Sequence, residues 1–543
     1  MCGDAPRAAP AEGAQNAVKH KPMRNIAAAS ASRKLLTPLT LLALLAVFAG
    51  LWGLSGEFAD VAVGPTRIGS IPAIVFRPQV TTGASSRARP VIVIAHGFAG
   101  SQQLMQPIAL TLARNGYIAV TFDFAGHGRN TKPMPGGVAD LARSTQALLA
   151  EIGEVAAFAR ALPGADGRLA LVGHSMASDL VVDYAMTDPN ISATAALSLF
   201  GRDVTADSPR NLIVIDGAWE PTMLTGAGYR IIGMAAAGAA VQRVTYGDFA
   251  AGTARRLVLA EGAEHIGVLY SRDALRETLA WMDSAFGTQE GAPRPGSIDR
   301  RGKWLALLFA GLVAFARPAS RALPVLSVPP LGAGLGWKRL FPIAIAPAIL
   351  TPLILWKAPT DFLPILLGDY LVVHLALYGV LTGVGLLVVR GVPLRVATRW
   401  TPFALSALAL AAYYIVALGA PIDAYVTSFT PTGVRWALIA AMFAGAAPYF
   451  LADEWLTRGA GAARGAYPFT KLCFLVSLGI AVALNPQKLF FLAIIAPVML
   501  VLFVVYGLVS RWINARTGDP RVSALGAAAA LAWAIAVTFP IVG

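Results

Sequence analysis

Three residues far apart in the chain have the types that a nucleophile, its base and an orienting carboxylate require. Ser175 lies in Gly173-His-Ser-Met-Ala177, directly after the apolar run 169–172 and before a stretch with helical spacing. Strand, tight turn and helix in that order predict a nucleophile elbow, in which the serine is strained and the residues two before and two after it must be small. Ala177 stands where glycine is usual and is still small. A serine hydroxyl is a weak nucleophile at its ordinary pKa, so it needs an imidazole base, and the base needs an acid to hold its tautomer. His265, in Ala263-Glu-His-Ile-Gly267, is the one histidine of this region downstream of Ser175. The acid is sought in Asp216-Gly-Ala-Trp-Glu-Pro221, after the apolar run 212–215. Glu220 is preferred, because a strand, a glycine and an acid three residues later turn the carboxylate toward the base; Asp216 is the alternative acid, and otherwise a structural turn residue.

Acyl chemistry also needs two backbone N–H donors aimed at the developing oxyanion. Met176, next to the nucleophile, is one candidate. Phe98 is the other, in the glycine-rich turn His96-Gly97-Phe98-Ala-Gly100 after the run 91–95. His96 reads as a structural hydrogen-bonding residue, His127 in Asp123-Phe-Ala-Gly-His127-Gly128 as loop architecture, and His174 as pointing away from the reacting centre. No metal and no cofactor are called for.

The elements that must position these groups alternate strand-like and helical patterns from about Phe58 to Phe286. Candidate strands cover 73–76, 91–95, 117–122, 169–172, 195–200, 212–215 and 257–260, with helical stretches at 105–115, 138–162, 176–186 and 272–286. This alternation predicts the α/β class, a mostly parallel sheet with helices on both faces. Reactive groups then belong on loops at the carboxyl ends of strands, where every candidate above falls. Together, Ala95-His96-Gly97, Asp123 to Gly128, the Ser175 elbow, Glu220 and His265 resemble the α/β-hydrolase family, and most of all its esterase, dienelactone-hydrolase and serine-aminopeptidase-like branch. The resemblance covers about residues 58–286 and implies a serine hydrolase without naming a substrate. Many relatives insert a helical lid where this chain has only the short segment 201–210, so the site is expected to be open or covered by the membrane.

The rest of the chain is apolar. Of 543 residues 56% are hydrophobic and 14% charged, too apolar for a single soluble enzyme. Leu35–Leu54 is an uncharged run preceded by Lys19, Lys21, Arg24, Arg33 and Lys34. It is long enough to span a bilayer and is read as an anchor rather than a cleaved signal peptide. Eight further apolar runs cover 304–316, 340–356, 362–389, 401–419, 435–452, 472–484, 489–510 and 522–540. The first is short and the second carries Pro342, Pro347 and Pro352, which lowers the minimum count. Threading all nine through a bilayer puts Arg317, Arg321, Lys338, Arg339, Arg390, Arg395, Arg399, Arg458, Arg464, Arg511, Arg516 and Arg521 on the side of the basic tail. Only Lys357 and Lys488 fall on the other. That asymmetry predicts a cytoplasmic N-terminus, a cell-membrane location and an extracytoplasmic hydrolase-like domain. The expected organisation is a basic tail over 1–34, an anchor over 35–54, an α/β domain over 55–287, a Gly- and Pro-rich linker over 288–303 and an all-α bundle over 304–543.

The formal charge of +14 lies largely in the tail and the short loops, which suits a membrane surface better than a nucleic acid. Two cysteines, Cys2 and Cys473, leave no disulfide framework. Asp369 and His374 share one span; pairing nearby is the plainer reading, and an intramembrane functional group the sharper one. The expected partners are the bilayer and a small-molecule or lipid ester. The expected function is cleavage of an ester or thioester of a lipid-like or envelope molecule through an acyl-enzyme, the alternatives being an envelope acyltransferase and a transporter with a hydrolase-like binding domain.

Overall fold

The computed structural model describes residues 23–79, 88–137, 140–201, 204–236, 238–288, 296–390 and 398–543. Cys2, Lys19 and Lys21 of the basic tail, positions 289–295 of the expected linker, and Arg395 lie outside the described residues.

Eight strands form one mixed sheet in the order β1-β2-β4-β3-β5-β6-β7-β8. They are β1 (Val61–Ile68), β2 (Ile71–Pro78), β3 (Arg89–Ala95), β4 (Ile118–Phe122), β5 (Ala165–His174), β6 (Ile191–Leu197), β7 (Leu212–Gly217) and β8 (Arg255–Ala260). β2 runs antiparallel to β1 and β4, and β3 to β8 are mutually parallel. The helices are α1 (Met23–Gly56), α2 (Gln106–Arg114), α3 (Leu141–Arg160), α4 (Met176–Thr187), α5 (Thr222–Ala235), α6 (Arg272–Phe286), α7 (Arg301–Ala319), α8 (Trp337–Leu355), α9 (Gly368–Arg390), α10 (Trp400–Ala412), α11 (Gly419–Tyr425), α12 (Arg435–Thr457), α13 (Ala466–Leu484), α14 (Pro486–Thr517) and α15 (Pro520–Thr538).

The strand runs are nearly all apolar because both faces are covered. Val91, Val93 and Ala95 pack with Ile152 and Val155 of α3 and Val181 of α4. The alternate residues Ile92 and Ile94 pack with Ile108 and Leu112 of α2 and Leu275 and Leu279 of α6. This is the two-residue period of a strand read against two helical layers.

Two elements lie outside the sequence-based expectation. β1 contains Gly64 and Pro65, residues that argue against a strand. It is an edge strand, where a missing N–H is tolerated. α5 carries Gly226, Gly228 and Gly233, which depress helical propensity.

Nine helical segments among the described residues are long and apolar enough to cross a membrane: 37–56, 301–322, 337–355, 368–389, 400–425, 435–457, 466–484, 486–517 and 520–538. Each corresponds to an expected run, with displaced ends. The second is longer than 304–316 because Arg301 is buried against Asp299 and Gln106 rather than solvated. The seventh begins before 472 because Lys471 is buried within it. α1 packs along α7 through Gly50, Gly53 and Gly311. A Cβ at Gly53 would meet the Trp304 ring at 2.1 Å, and one at Gly311 the Ala43 carbonyl at 2.8 Å. Small residues let the two helices approach closely.

The bundle is seated on the carboxyl end of the sheet. Buried Arg435 of α12 donates to the carbonyls of Ala536, Phe539 and Gly126. The C-terminal segment pairs with the same loop, through Ile541 N–H to Gly126 O and Met134 N–H to Ile541 O, both at 2.9 Å. Ser428 Oγ lies 2.9 Å from Gln103 Oε1, and Arg129 pairs with Asp423 at 2.9 Å.

Candidate active site

β5 runs into the elbow and α4 begins one residue beyond Ser175. Ser175 has φ 55° and ψ −123°, a left-handed conformation that a side chain rarely adopts. The turn tolerates this because its neighbours are small. A Cβ at Gly173 would meet the Ala177 carbonyl oxygen at 2.2 Å, so only glycine fits there. Gly97 is pressed against the elbow from the β3 loop, where a Cβ would lie 2.9 Å from the Cβ of Ser175. That contact brings Phe98 to the nucleophile, while Met176 is the first residue of α4, whose N–H has no intrahelical acceptor.

His265 Nε2 lies 2.9 Å from Ser175 Oγ. On the other side of the ring, Nδ1 is 3.6 Å from Glu220 Oε1, ion-pair range and longer than a hydrogen bond. Unliganded sites often show such loose contacts. Glu220 is fixed by its own turn: Ser198 Oγ donates to Oε1 at 2.5 Å and Gly217 N–H to the same oxygen at 3.2 Å. The acid turn and the histidine loop are joined by Ala218 N–H to Ala260 O (2.9 Å) and Trp219 N–H to Ala263 O (3.0 Å). A Cβ at Gly217 would strike the Ala263 carbonyl oxygen at 2.5 Å, so that junction also requires glycine.

The other candidates are placed apart from the reacting atoms. Asp216 is fully buried, and burial, with the Glu220 charge beside it, raises its carboxyl well above the usual range. It is Glu220, not Asp216, that reaches the imidazole. His96 donates from Nδ1 to Gly97 O at 2.8 Å and accepts the Phe124 N–H at Nε2, and burial pulls its pKa down to about 4. With both ring nitrogens occupied it organises the loop. His127 donates to the Ala125 carbonyl and is lowered to about 3, chiefly by burial.

Two residues of the site carry no sequence signal of their role. His174 Nε2 donates to the backbone carbonyl of His265 at 2.8 Å, so the residue preceding the serine holds the loop of the base. Burial, then the neighbouring His265, lowers its pKa to about 3, which keeps it neutral. Ser198, with φ 58°, steers Glu220 from β6's exit. The glycine-like turn geometry of Ser198 is not encoded in its residue type.

Ser175 and Glu220 are buried, 5% and 7% exposed. The bundle contacts the loops on either side of the elbow; positions 202 and 203 of the segment 201–210 lie outside the described residues. The Phe98 ring stacks on Phe491 of α14 at 4.4 Å between centroids, and Phe200 meets Phe490 edge-on at 6.4 Å.

Comparison with known proteins agrees with this architecture over the sheet domain. Residues 86–201, a range that includes β3 to β6, match the family described as serine aminopeptidase, S33. Among solved structures, a Thermus thermophilus protein aligns at 16% identity over 42% of this chain and 99% of its own, with a TM-score of 0.32. A protein assigned as a dienelactone hydrolase from Klebsiella pneumoniae aligns at 17% over 46% of this chain and 98% of its own, TM-score 0.29. Est1E from Butyrivibrio proteoclasticus, solved with ferulic acid bound, aligns at 14% over 41% and 99%, TM-score 0.31. No curated protein matches the chain. Strand order, elbow and family match agree on the architecture: the sheet domain of this chain has the α/β-hydrolase fold, joined to a bundle of apolar helices.

Proposed function

We propose that the protein is a membrane-bound serine hydrolase that cleaves an ester or thioester of a lipid-like or envelope molecule. The observation that carries this reading is the 2.9 Å contact between Ser175 Oγ and His265 Nε2 on a strained elbow. As Ser175 Oγ attacks the carbonyl carbon, its proton passes to His265 Nε2, and Glu220 stabilises the imidazolium. The N–H groups of Phe98 and Met176 receive the oxyanion. Collapse of the tetrahedral intermediate breaks the bond to the leaving group, which takes the proton from His265, and an acyl-Ser175 ester remains. Water, deprotonated by His265, then releases the acid and restores the serine.

The domain is extracytoplasmic and the chain sits in the cell membrane with its N-terminus inside, a reading supported by the bias of basic residues toward one set of loops. α1 ends at Gly56 and α7 starts at Arg301, so the domain is tethered at both ends within a few residues of the bilayer. Its substrates are therefore drawn from the membrane surface. Transfer of the acyl group to an alcohol other than water is the second reading, favoured by the low exposure of Ser175.

The test is product analysis on the full chain in phospholipid vesicles, with esters and thioesters of graded acyl length, with and without an added alcohol. Free acid that appears with the wild type and is lost in Ser175→Ala supports hydrolysis. An acylated alcohol in place of the acid supports transfer, and neither product from any substrate contradicts both.

A further inference from the structure

We propose that Phe490 and Phe491, at the first turns of α14, form an aromatic gate through which the acyl chain of a bilayer-resident ester reaches Ser175. The proposal rests on the reading of Ser175 as the nucleophile. Phe491 stacks on Phe98, the ring carried by the candidate oxyanion donor, with an interplanar angle of 25°. Phe539, at the end of the last helix, closes on the same ring at 6.3 Å. Phe490 meets Phe200, just beyond β6, so the pair bridges the two loops on either side of the elbow. Both phenylalanines are only half-buried.

The gate lies near the start of α14, a helix of 32 residues in all. Val498, Val501, Val504 and Leu508 are exposed along it, at 47%, 62%, 54% and 41%. Steps of three and four residues, carried back through Ile494, place Phe490 on the same helical face. An acyl chain lying against that face meets apolar surface from the bilayer to the active site. On the domain side, Trp219 and Met223 lie either side of Glu220 in the chain and are 73% and 57% exposed. On the β3 and β4 side of the site the bundle contacts Gly126, Gln103 and Arg129 through α12 and the 423–428 segment.

Phe491 is thus a positioning and specificity residue. Through Phe98 it holds the oxyanion loop, and its ring selects a chain that can displace it.

The test compares wild type with Phe491→Ala and with the double variant Phe490→Ala/Phe491→Ala, each as the full chain in phosphatidylcholine vesicles. Two reporters are used: a water-soluble acetyl ester and a long-chain ester dissolved in the vesicle. Opening the gate raises kcat/KM for the soluble ester and lowers it for the long-chain ester, shifting their ratio by about tenfold or more, the size of change a hydrophobic contact can impose on discrimination. Phe491→Leu, which keeps bulk without the ring face, shifts the ratio in the same direction by less and serves if the alanine variants do not fold. An unchanged ratio, or parallel changes in both reporters, overturns the gate. Fluorophosphonate labelling separates the two failures. Labelled Ser175 with an unchanged ratio refutes the gate alone, and an unlabelled wild type refutes the catalytic reading on which it rests.

Discussion

The loops around Ser175 and the helix bundle both bury polar groups, and the bundle relies more on pairs of charged side chains. Around Ser175, buried His96, His127 and His174 bond to backbone carbonyls, and buried Asp123 accepts the backbone N–H groups of Gln102 and Arg129. In the bundle, Lys471 and Asp453 face each other at 2.5 Å with side chains 3% and 4% exposed, and Glu454 takes Arg458 and Asn514. Strand ends and loops leave backbone donors and acceptors free, whereas a helix uses its own internally, so a charge inside a bundle must find another side chain. Arg435 joins the two modes. It lies on α12 but binds the carbonyls at the end of α15 and of Gly126, because free carbonyls occur only where a helix ends or a loop begins.

The comparison breaks most visibly at the nucleophile. Ser175→Ala removes the hydroxyl that pairs with His265 Nε2. It lowers kcat for ester cleavage by about 10⁴ or more, the usual size of a nucleophile deletion, without change in the thermal melting point. A melting point that falls with activity makes Ser175 a structural residue. In the bundle, Lys471→Met strands a buried carboxylate and lowers stability by about 3–5 kcal/mol, while Lys471→Met/Asp453→Leu recovers most of it. Equal losses in the single and double variants would refute pairwise satisfaction.

Ser198→Ala sharpens the contrast on a smaller scale. It removes the hydroxyl that orients Glu220 and lowers kcat by about tenfold, equivalent to roughly 1.4 kcal/mol, with KM unchanged. A rise in KM alone contradicts the orienting role. The smallest effect is on acid stability. His96 has a folded-state pKa near 4 against an ordinary value of 6.5, so its contribution is fully present above pH 6.5 and is lost as pH falls through about 4. His96→Asn therefore flattens the fall of melting temperature between those limits by one proton's worth of slope. An unchanged slope means that the buried ring is already charged.

The sequence made the elbow legible because its constraint is local: Gly173, Ser175 and Ala177 occupy one turn between a strand and a helix. Glu220 and His265 were legible because each follows an apolar run. β1 was not, since Gly64 and Pro65 carry no strand signal and an edge position is a property of the whole sheet. Lys471 shortened the expected span, because the burial of one charge depends on Asp453, eighteen residues away on another helix. The bond from His174 to His265 and the hydroxyl of Ser198 on Glu220 join positions 91 and 22 residues apart, and neither residue type announces its partner. The seating of the bundle on the oxyanion loop is the least legible feature: rings at 98 and 491 meet only after the bundle is placed against the sheet.

Catalysis requires that the hydroxyl at position 175 be activated by the imidazole at 265. The most direct measurement is mass spectrometry of the full chain after reaction with a fluorophosphonate. One phosphonyl adduct on the peptide containing Ser175 is predicted, absent in Ser175→Ala and formed at least a hundredfold more slowly in His265→Ala, in the range of general-base assistance. An adduct on a different residue, or equal labelling rates in wild type and His265→Ala, would contradict it.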